Sequence, residues 1–292
     1  MHDPRVLIIG HGYLGSFLAG EMHRAGCDVV AVHRGPSTRE SYPVLSGDVT
    51  DPGSLRELFP RTPDVIVHCA SSSRGGAETY RAVFVEGIRN LQTVFPGAPV
   101  IFTSCTSVYG QTDGSVVDET SETIPDRETG RLLLEAEQLA RTNGGIALRL
   151  AGIYGPGRSV HLRKLLDGTA TIEDIATSRY LNQIHRDDAA KAILDLIRKD
   201  SELHRGGLFN VVDDTPLTQR GCYEALAEWF RLPSPPPAPP DPDRKRGWTH
   251  KIVSNGSLRA TGWSPLYPSF LDAVRDDPLL VSSIREIIAG NT

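Results

Sequence analysis

The chain has 292 residues, 39% hydrophobic and 23% charged, the proportions of an ordinary globular protein, which exclude wholesale disorder, collagen-like repetition and a fibrous coiled coil. At the usual ~150 residues per domain this length predicts about two domains, or one large α/β unit with an added lobe. A net charge of −5 argues against a dedicated nucleic-acid binder, which carries a basic excess gathered on one face.

Along the chain, apolar runs that do not alternate in polarity fall at Arg5–Ile9, Asp28–His33, Val65–Ala70, Val100–Ser104 and Ile146–Leu150. Such runs read as strands covered on both faces, the habit of a parallel sheet with helical crossovers. Helical patterns fall between them at Gly15–Ala25, Ser54–Phe59 after the Asp51-Pro52 start, Tyr80–Phe95 and Thr129–Thr142, with Asp187–Lys199 later. The expected fold is α/β: a doubly wound parallel sheet of the Rossmann type with a smaller, interleaved C-terminal substrate lobe. Residues 1–155 plus 184–214 are assigned to the nucleotide-binding domain, and 156–183 plus 215–292 to the lobe. Pro233–Asp243, PSPPPAPPDPD, lacks too many backbone donors to continue a helix or a central strand and reads as an extended segment. Asn255-Gly256 and Trp263-Ser264-Pro265 read as turns. No apolar run reaches the ~18 residues of a membrane span, and MHDPRVLIIGHGYLG carries no leader pattern, so a cytoplasmic protein with no membrane partner is expected. Cys27, Cys69, Cys105 and Cys222 lie far apart outside any CxxC pair and read as reduced thiols, with no metal site.

Gly10-His11-Gly12-Tyr13-Leu14-Gly15 follows the first strand and opens a helix, which turns a weak glycine pattern into a phosphate-loop candidate. Gly10 permits the tight turn, Gly12 the approach of a diphosphate, and Gly15 close helix–strand contact, while the helix start offers amide donors. An acidic residue at the end of the second strand would hold the ribose 2′-hydroxyl of NAD; here stand His33 and Arg34. Arg34, supported by Ser37, Thr38 or Arg39, suits a 2′-phosphate, so the expected cofactor is NADP(H), with NAD(H) the weaker option.

Further motifs occur in order: Gly47-Asp48-Val49, Val67-His68-Cys69-Ala70-Ser71, Thr103-Ser104-Cys105-Thr106-Ser107-Val108-Tyr109-Gly110, Leu148-Arg149-Leu150-Ala151-Gly152-Ile153-Tyr154-Gly155-Pro156-Gly157, Ile184-His185-Arg186-Asp187-Asp188-Ala189 and Phe209-Asn210-Val211-Val212-Asp213-Asp214. Over nearly its whole length the chain resembles the extended short-chain dehydrogenase/reductase family, the NAD(P)-dependent epimerase/dehydratase group. That resemblance implies cofactor contacts at Gly10, Gly12, Tyr13, Leu14, Gly15, His33, Arg34, Asp48, Val49, Cys69, Ala70, Ser71 and Ser104. It also admits a homodimer through the helices at Tyr80–Phe95 and Thr129–Thr142.

In the family a Lys cation lowers the pKa of a Tyr that takes the hydroxyl proton during hydride transfer, and a Ser/Thr orients the substrate oxygen. Aligned on Ala136-Glu137-Gln138, the Tyr position holds Thr129, the Lys position Leu133, the Ser/Thr position Cys105, and an expected helix Asn is Phe84. Asp126–Gln138 contains neither Tyr nor Lys, so the chain resembles an atypical subgroup lacking YxxxK. Cys105, Tyr109 and Ser104 are the remaining catalytic candidates; Thr106, Arg127, Arg131, Arg158, His161 and Arg179 are the candidates for a small polar or anionic substrate. His185 and the two aspartates after it read as structural. Two functions follow. One is an NADP(H)-dependent oxidoreductase or epimerase/dehydratase-like enzyme acting on a small polar substrate, a nucleotide-linked sugar among them. The other is a non-catalytic NADP(H)-binding sensor or scaffold.

Overall fold

Runs of Val, Ile and Leu hold the centre of the protein because strands buried on both faces need apolar side chains at every position. The computed structural model describes residues 4–58, 62–73, 75–176, 178–198, 205–240 and 248–290. Its main sheet contains β1 (Arg5–Ile9), β2 (Asp28–His33), β3 (Thr38–Arg39), β4 (Pro43–Ser46), β5 (Val65–His68), β6 (Val100–Cys105), β7 (Ile146–Leu150) and β8 (Leu208–Val211). All four residues of β5 and all five of β7 are buried.

The strand order is β8-β7-β6-β5-β1-β2-β4-β3. Seven strands run parallel, and the short β3 lies antiparallel to β4 at the edge. From β1 the chain builds outward through β2 and β4, then returns to the other flank of β1 for β5 and β6. That reversal creates a topological switch point, where open α/β sheets bind ligands beyond the carboxyl ends of their strands. The sequence reading missed β4, a four-residue strand that opens on Pro43. A proline is tolerated there because the first residue of a strand need not donate.

Helix α1 (Tyr13–Arg24) begins two residues before the expected start, directly on the glycine loop. In α2 (Pro52–Leu58) the Asp51 carboxylate accepts the Gly53 N–H at 2.9 Å, the expected cap; Phe59 lies outside the described residues. The next crossover, α3, consists of Ala77–Tyr80, a π-helical turn at Arg81–Glu86, and Gly87–Val94. Helix α4 (Glu128–Thr142) buries Leu132, Leu133, Ala136 and Ala140, the apolar stripe of its heptad-like spacing. Helix α5 spans Arg186–Arg198, and Lys199 again lies outside the described residues.

The chain divides into two compact units. Unit 1 is Met1–Val108, Thr123–Leu150 and Ala190–Phe209; unit 2 is Tyr109–Glu122, Ala151–Ala189 and Asn210–Thr292. Unit 2 has its own apolar core, with Tyr154, Leu162, Cys222, Tyr223 and Phe270 among its buried members. Within it, Gly152–Tyr154 pairs in parallel with Gln183–His185. Part of the proline-rich segment is an edge strand: Pro237–Ala238 pairs with Ile172–Glu173, and the donors come from the other side, Ile172 N–H to Pro236 O and Asp174 N–H to Ala238 O. Asp241, Pro242 and Asp243 lie outside the described residues. Asn255-Gly256, expected as a turn, is instead a helix start: Asn255 precedes the helix Gly256–Ala260 and its amide donates to Val212 O and the Asp214 carboxylate. No helix among the described residues is long and apolar enough to cross a membrane.

Candidate functional site

The three glycines after β1 differ in what surrounds them. Gly10 has φ +101°, and a Cβ there would sit 2.5 Å from Ala70 N; at Gly15 it would sit 1.9 Å from Gly10 O. Both positions exclude any side chain, because loop, helix and the end of β5 touch through their backbones. At Gly12 a Cβ would meet nothing within 4 Å. The backbone at that point is open, as the approach of a ligand requires, although the turn itself does not need glycine there.

Helix α1 starts here with no side-chain cap and no acidic residue in its first turn. Its N-terminal partial positive charge is therefore not offset by a carboxylate of its own. These residues fit the diphosphate of a dinucleotide.

At the end of β2 the guanidinium of the exposed Arg34 donates to Ser73 Oγ at 3.1 Å, and Ser73 N–H donates to Ser71 Oγ at 3.2 Å. Arg34 is thus brought to the loop that follows β5, the loop carrying Cys69, Ala70 and Ser71. Ser73 holds a left-handed backbone, φ 49°, in the same loop. His33 faces Pro36 O at 3.1 Å. Of the expected supports for Arg34, Ser37 Oγ accepts Ser46 N–H, and the side chain of Arg39 lies outside the described residues. Asp48 accepts the N–H and hydroxyl of Thr50, both at 2.9 Å, and Val49 is buried with its carbonyl bonded to Asn90. Burial pushes the Cys69 thiol up to about 12, against the opposing pull of Thr103, so it stays protonated.

At the end of β6, successive side chains point to opposite faces. Thr103 Oγ1 donates to His68 O at 3.0 Å. Ser104 faces α4 and donates to Glu137 Oε1 at 2.5 Å, while Arg149 of β7 closes on the same carboxylate at 2.7 Å and twice at 3.1 Å. All three are at least 95% buried. The hydroxyl of Ser104, expected to serve catalysis and the cofactor, is committed to a buried ion pair and has no proton left for a substrate. The sequence reading missed this pair, although each partner signals itself as a charge inside an otherwise apolar run. Cys105 is half-buried; its Sγ accepts Ser107 N–H at 3.4 Å, and Thr106 beside it is buried.

Leu133, at the position expected of the family's Lys, is buried in α4, and Thr129 is half-buried. Phe84, at the expected Asn, lies in the π-helical turn with its ring 5.0 Å from Tyr80 and 5.6 Å from Phe102. Arg127 and Arg131 are exposed at the start of α4.

In unit 2, Tyr109 is completely buried, and its hydroxyl donates to Asp118 O at 2.8 Å and meets Asn210 Oδ1 at 3.0 Å. The tyrosine expected as a proton donor thus joins two segments of this unit. Arg179 is buried against Glu173 at 2.8 Å, and Trp248 Nε1 donates to the other Glu173 oxygen at 3.2 Å. His161 meets the Tyr223 hydroxyl at 3.2 Å, and Arg158 is exposed. His185 accepts Asp187 N–H on Nδ1 at 3.2 Å, so its Nε2–H donates to Asp277 at 3.1 Å. Burial lowers its pKa despite Asp187 and Asp277. Asp188, wholly buried, accepts the backbone N–H groups of Leu266 and Tyr267. Among the described residues no cluster of His, Cys, Asp or Glu is arranged to hold a metal ion, and no two of the four cysteines form a disulfide.

Comparison with known proteins matches residues 6–211 to the NAD dependent epimerase/dehydratase family. Protein YeeZ of Escherichia coli K12 is 28% identical over 245 residues, 79% of this chain and 85% of that protein. A solved structure of a candidate NAD-dependent epimerase/dehydratase from Methylobacillus flagellatus is 31% identical, with a TM-score of 0.78 over 97% of this chain and all of that one. UDP-glucose 4-epimerase of Thermus thermophilus, solved with NAD, shares the fold at a TM-score of 0.78 and 20% identity, covering 96% of this chain and 99% of its own. A family match over more than two thirds of the sequence, on a sheet whose switch point carries the glycine loop, makes this chain a member of the NAD-dependent epimerase/dehydratase family.

Proposed function

We propose that the protein is an NADP(H)-dependent oxidoreductase or epimerase-like enzyme acting on a small polar substrate, with a nucleotide-linked sugar as the leading class. One observation carries the cofactor half of the reading. The end of β2 presents a guanidinium, Arg34, fixed to the Ser71–Ser73 loop, where an NAD-selective site would present a carboxylate. The residues that would hold the coenzyme are the α1 start with Gly12 for the diphosphate and Arg34 for the 2′-phosphate. When bound, the coenzyme supplies or accepts a hydride. The substrate half draws on the Thermus relative's being a UDP-glucose 4-epimerase; Arg127 and Arg131, exposed at the start of α4, are our candidates for an anionic group of that substrate, whereas Arg179 is buried and already paired with Glu173.

With a coenzyme bound to take the hydride, oxidation of a secondary alcohol would require this chain or solvent to receive the hydroxyl proton. Ser104 and Tyr109 have spent their hydroxyls, so Cys105, with Thr106 beside it, is the group we place at the substrate oxygen, and solvent takes the proton. Positioned acid–base catalysis is worth ~10²–10⁴ in rate, so turnover by this route is slow. The same spent hydroxyls, with Leu133 buried at the lysine position, favour the second reading, an NADP(H)-binding sensor without catalysis.

Calorimetric titration tests the cofactor: Arg34→Ala weakens NADP(H) at least ~10-fold, about 1.4 kcal/mol, and leaves NAD(H) nearly unchanged, whereas equal losses refute the assignment. NADPH absorbance followed with a panel of sugars, aldehydes and ketones separates the enzyme from the sensor. Consumption that disappears in Cys105→Ala supports catalysis; tight binding without consumption supports the sensor.

A further inference from the structure

Beside Arg34, at the end of β2, the ring of His33 packs against a second imidazole. His11, the second residue of the glycine loop, has a side chain only 10% exposed. Its ring lies edge-on to those of His33 and Tyr42, with centroids 6.0 and 5.9 Å away. The Tyr42 hydroxyl has Ser16 O at 3.2 Å and the Glu40 carboxylate to take its one proton, so its oxygen accepts Nε2–H of His11 at 3.0 Å. This fixes the tautomer. The bare nitrogen of His11 is Nδ1, which has no hydrogen-bond partner among the described residues.

The titratable groups facing His11 are Glu40 at 3.8 Å from the β3–β4 turn, Tyr42, and His33 of β2. From α1, His23 and Arg24 bear on Tyr42. Burial lowers the His11 pKa, Glu40 draws it back up and His33 lowers it again, so the ring is neutral around pH 7. A neutral ring turns a lone pair toward any anion; a protonated one turns an N–H toward it.

Resting on the Arg34 reading above, we propose that His11 is a second specificity-determining residue for the 2′-phosphate. It takes up a proton on Nδ1 as that phosphate binds, so the preference for NADP(H) over NAD(H) rises as pH falls. An anion beside an imidazole favours the charged form, so the complex holds one proton more than the free protein across the interval between the two titrations. Affinity for NADP⁺ falls as pH rises through that interval. NAD⁺ has no 2′-phosphate and shows no such slope. Each unit by which the phosphate displaces the titration is worth about tenfold in affinity.

The 2′-phosphate titrates near pH 6 itself and releases protons on binding as the dianion, the opposite sign. A substitution at His11 leaves that release in place and removes the uptake. The experiment is calorimetry of the full chain with NADP⁺ and with NAD⁺, between about pH 6.5 and 8.5, in two buffers of different ionisation enthalpy. It compares wild type with His11→Gln, whose amide N–H keeps the bond to Tyr42, and with Arg34→Ala. The expected result is proton uptake with NADP⁺ alone, lost in His11→Gln while NADP⁺ is still preferred. If NADP⁺ is preferred but wild type and His11→Gln exchange the same number of protons, His11 has no such role and the Arg34 reading stands. If the two coenzymes bind equally and Arg34→Ala changes neither, both fall together.

Discussion

The carboxyl ends of β1 and β6 lie two strands apart in one sheet and use their polar groups in opposite ways. Beyond β1 the backbone is open in front of Gly12, the helix start has no cap, and Arg34 reaches in from β2. Beyond β6 the hydroxyl of Ser104 is locked onto Glu137 and Arg149, and the next tyrosine, Tyr109, is sealed. A hydrogen-bonding group serves a ligand only if the fold has not already used it. By that measure the sheet keeps the apparatus for binding a dinucleotide and has turned part of the apparatus for moving protons into structure.

The largest expected effect tests the end of β6. Glu137→Leu strands Arg149 in the interior and takes the acceptor from Ser104, a change that costs about 3–5 kcal/mol when one partner of a buried pair is removed. Urea denaturation of Glu137→Leu and of the double variant Glu137→Leu/Arg149→Leu measures it. Most of the loss returns in the double variant, because an apolar pair of similar volume replaces the ions. A single variant as stable as wild type would show that Ser104 is not held by this pair and is free for chemistry.

A smaller effect tests the end of β1. Gly15→Ala drives a methyl into Gly10 O and costs ~1–3 kcal/mol of stability, as overpacking does. Gly12→Ala meets empty space and changes stability by no more than about 0.5 kcal/mol. It nevertheless blocks the approach of the diphosphate, so dinucleotide affinity falls at least ~10-fold while the melting curve is unmoved. Undiminished coenzyme binding by Gly12→Ala would remove the glycine loop from the site.

How far each end was legible in the sequence follows from how local its interactions are. The glycine loop spans six consecutive residues between a strand and a helix, and its reading needs nothing distant. The departures at Thr129, Leu133, Cys105 and Phe84 are local too. The commitment of Ser104 is not: its acceptor is 33 residues away, and Tyr109 finds Asn210 across 101 residues. Glu137 read as part of a family motif, and Arg149 as one charge in a strand; only their pairing across α4 and β7 gives Ser104 its role. β4 was hidden by brevity. The π-helical turn at Arg81–Glu86 leaves an amphipathic pattern that reads as plain helix.

Asp213 sharpens the comparison, since it is unspent, like the β1 end, yet closed off. Its side chain is buried in unit 2, and Oδ1 has no hydrogen-bond partner among the described residues. Burial first, then Asp214, Asp188 and Asp272, raise its pKa well above the usual carboxylate range. The folded chain therefore keeps a proton that the unfolded chain gives up near pH 4. Stability from this group is present in full below that pH and is lost as pH rises through the folded-state titration. Asp213→Asn keeps the shape without the charge, so its melting temperature should exceed that of wild type above neutrality by on the order of 2–4 °C, the shift expected of about 1 kcal/mol in a domain of this size. The two should converge as the solution is made more acidic. Parallel melting curves at every pH would mean that Asp213 ionises freely and that its unsatisfied oxygen reaches solvent. In that case burial would not separate a group held for a ligand from one the fold merely tolerates.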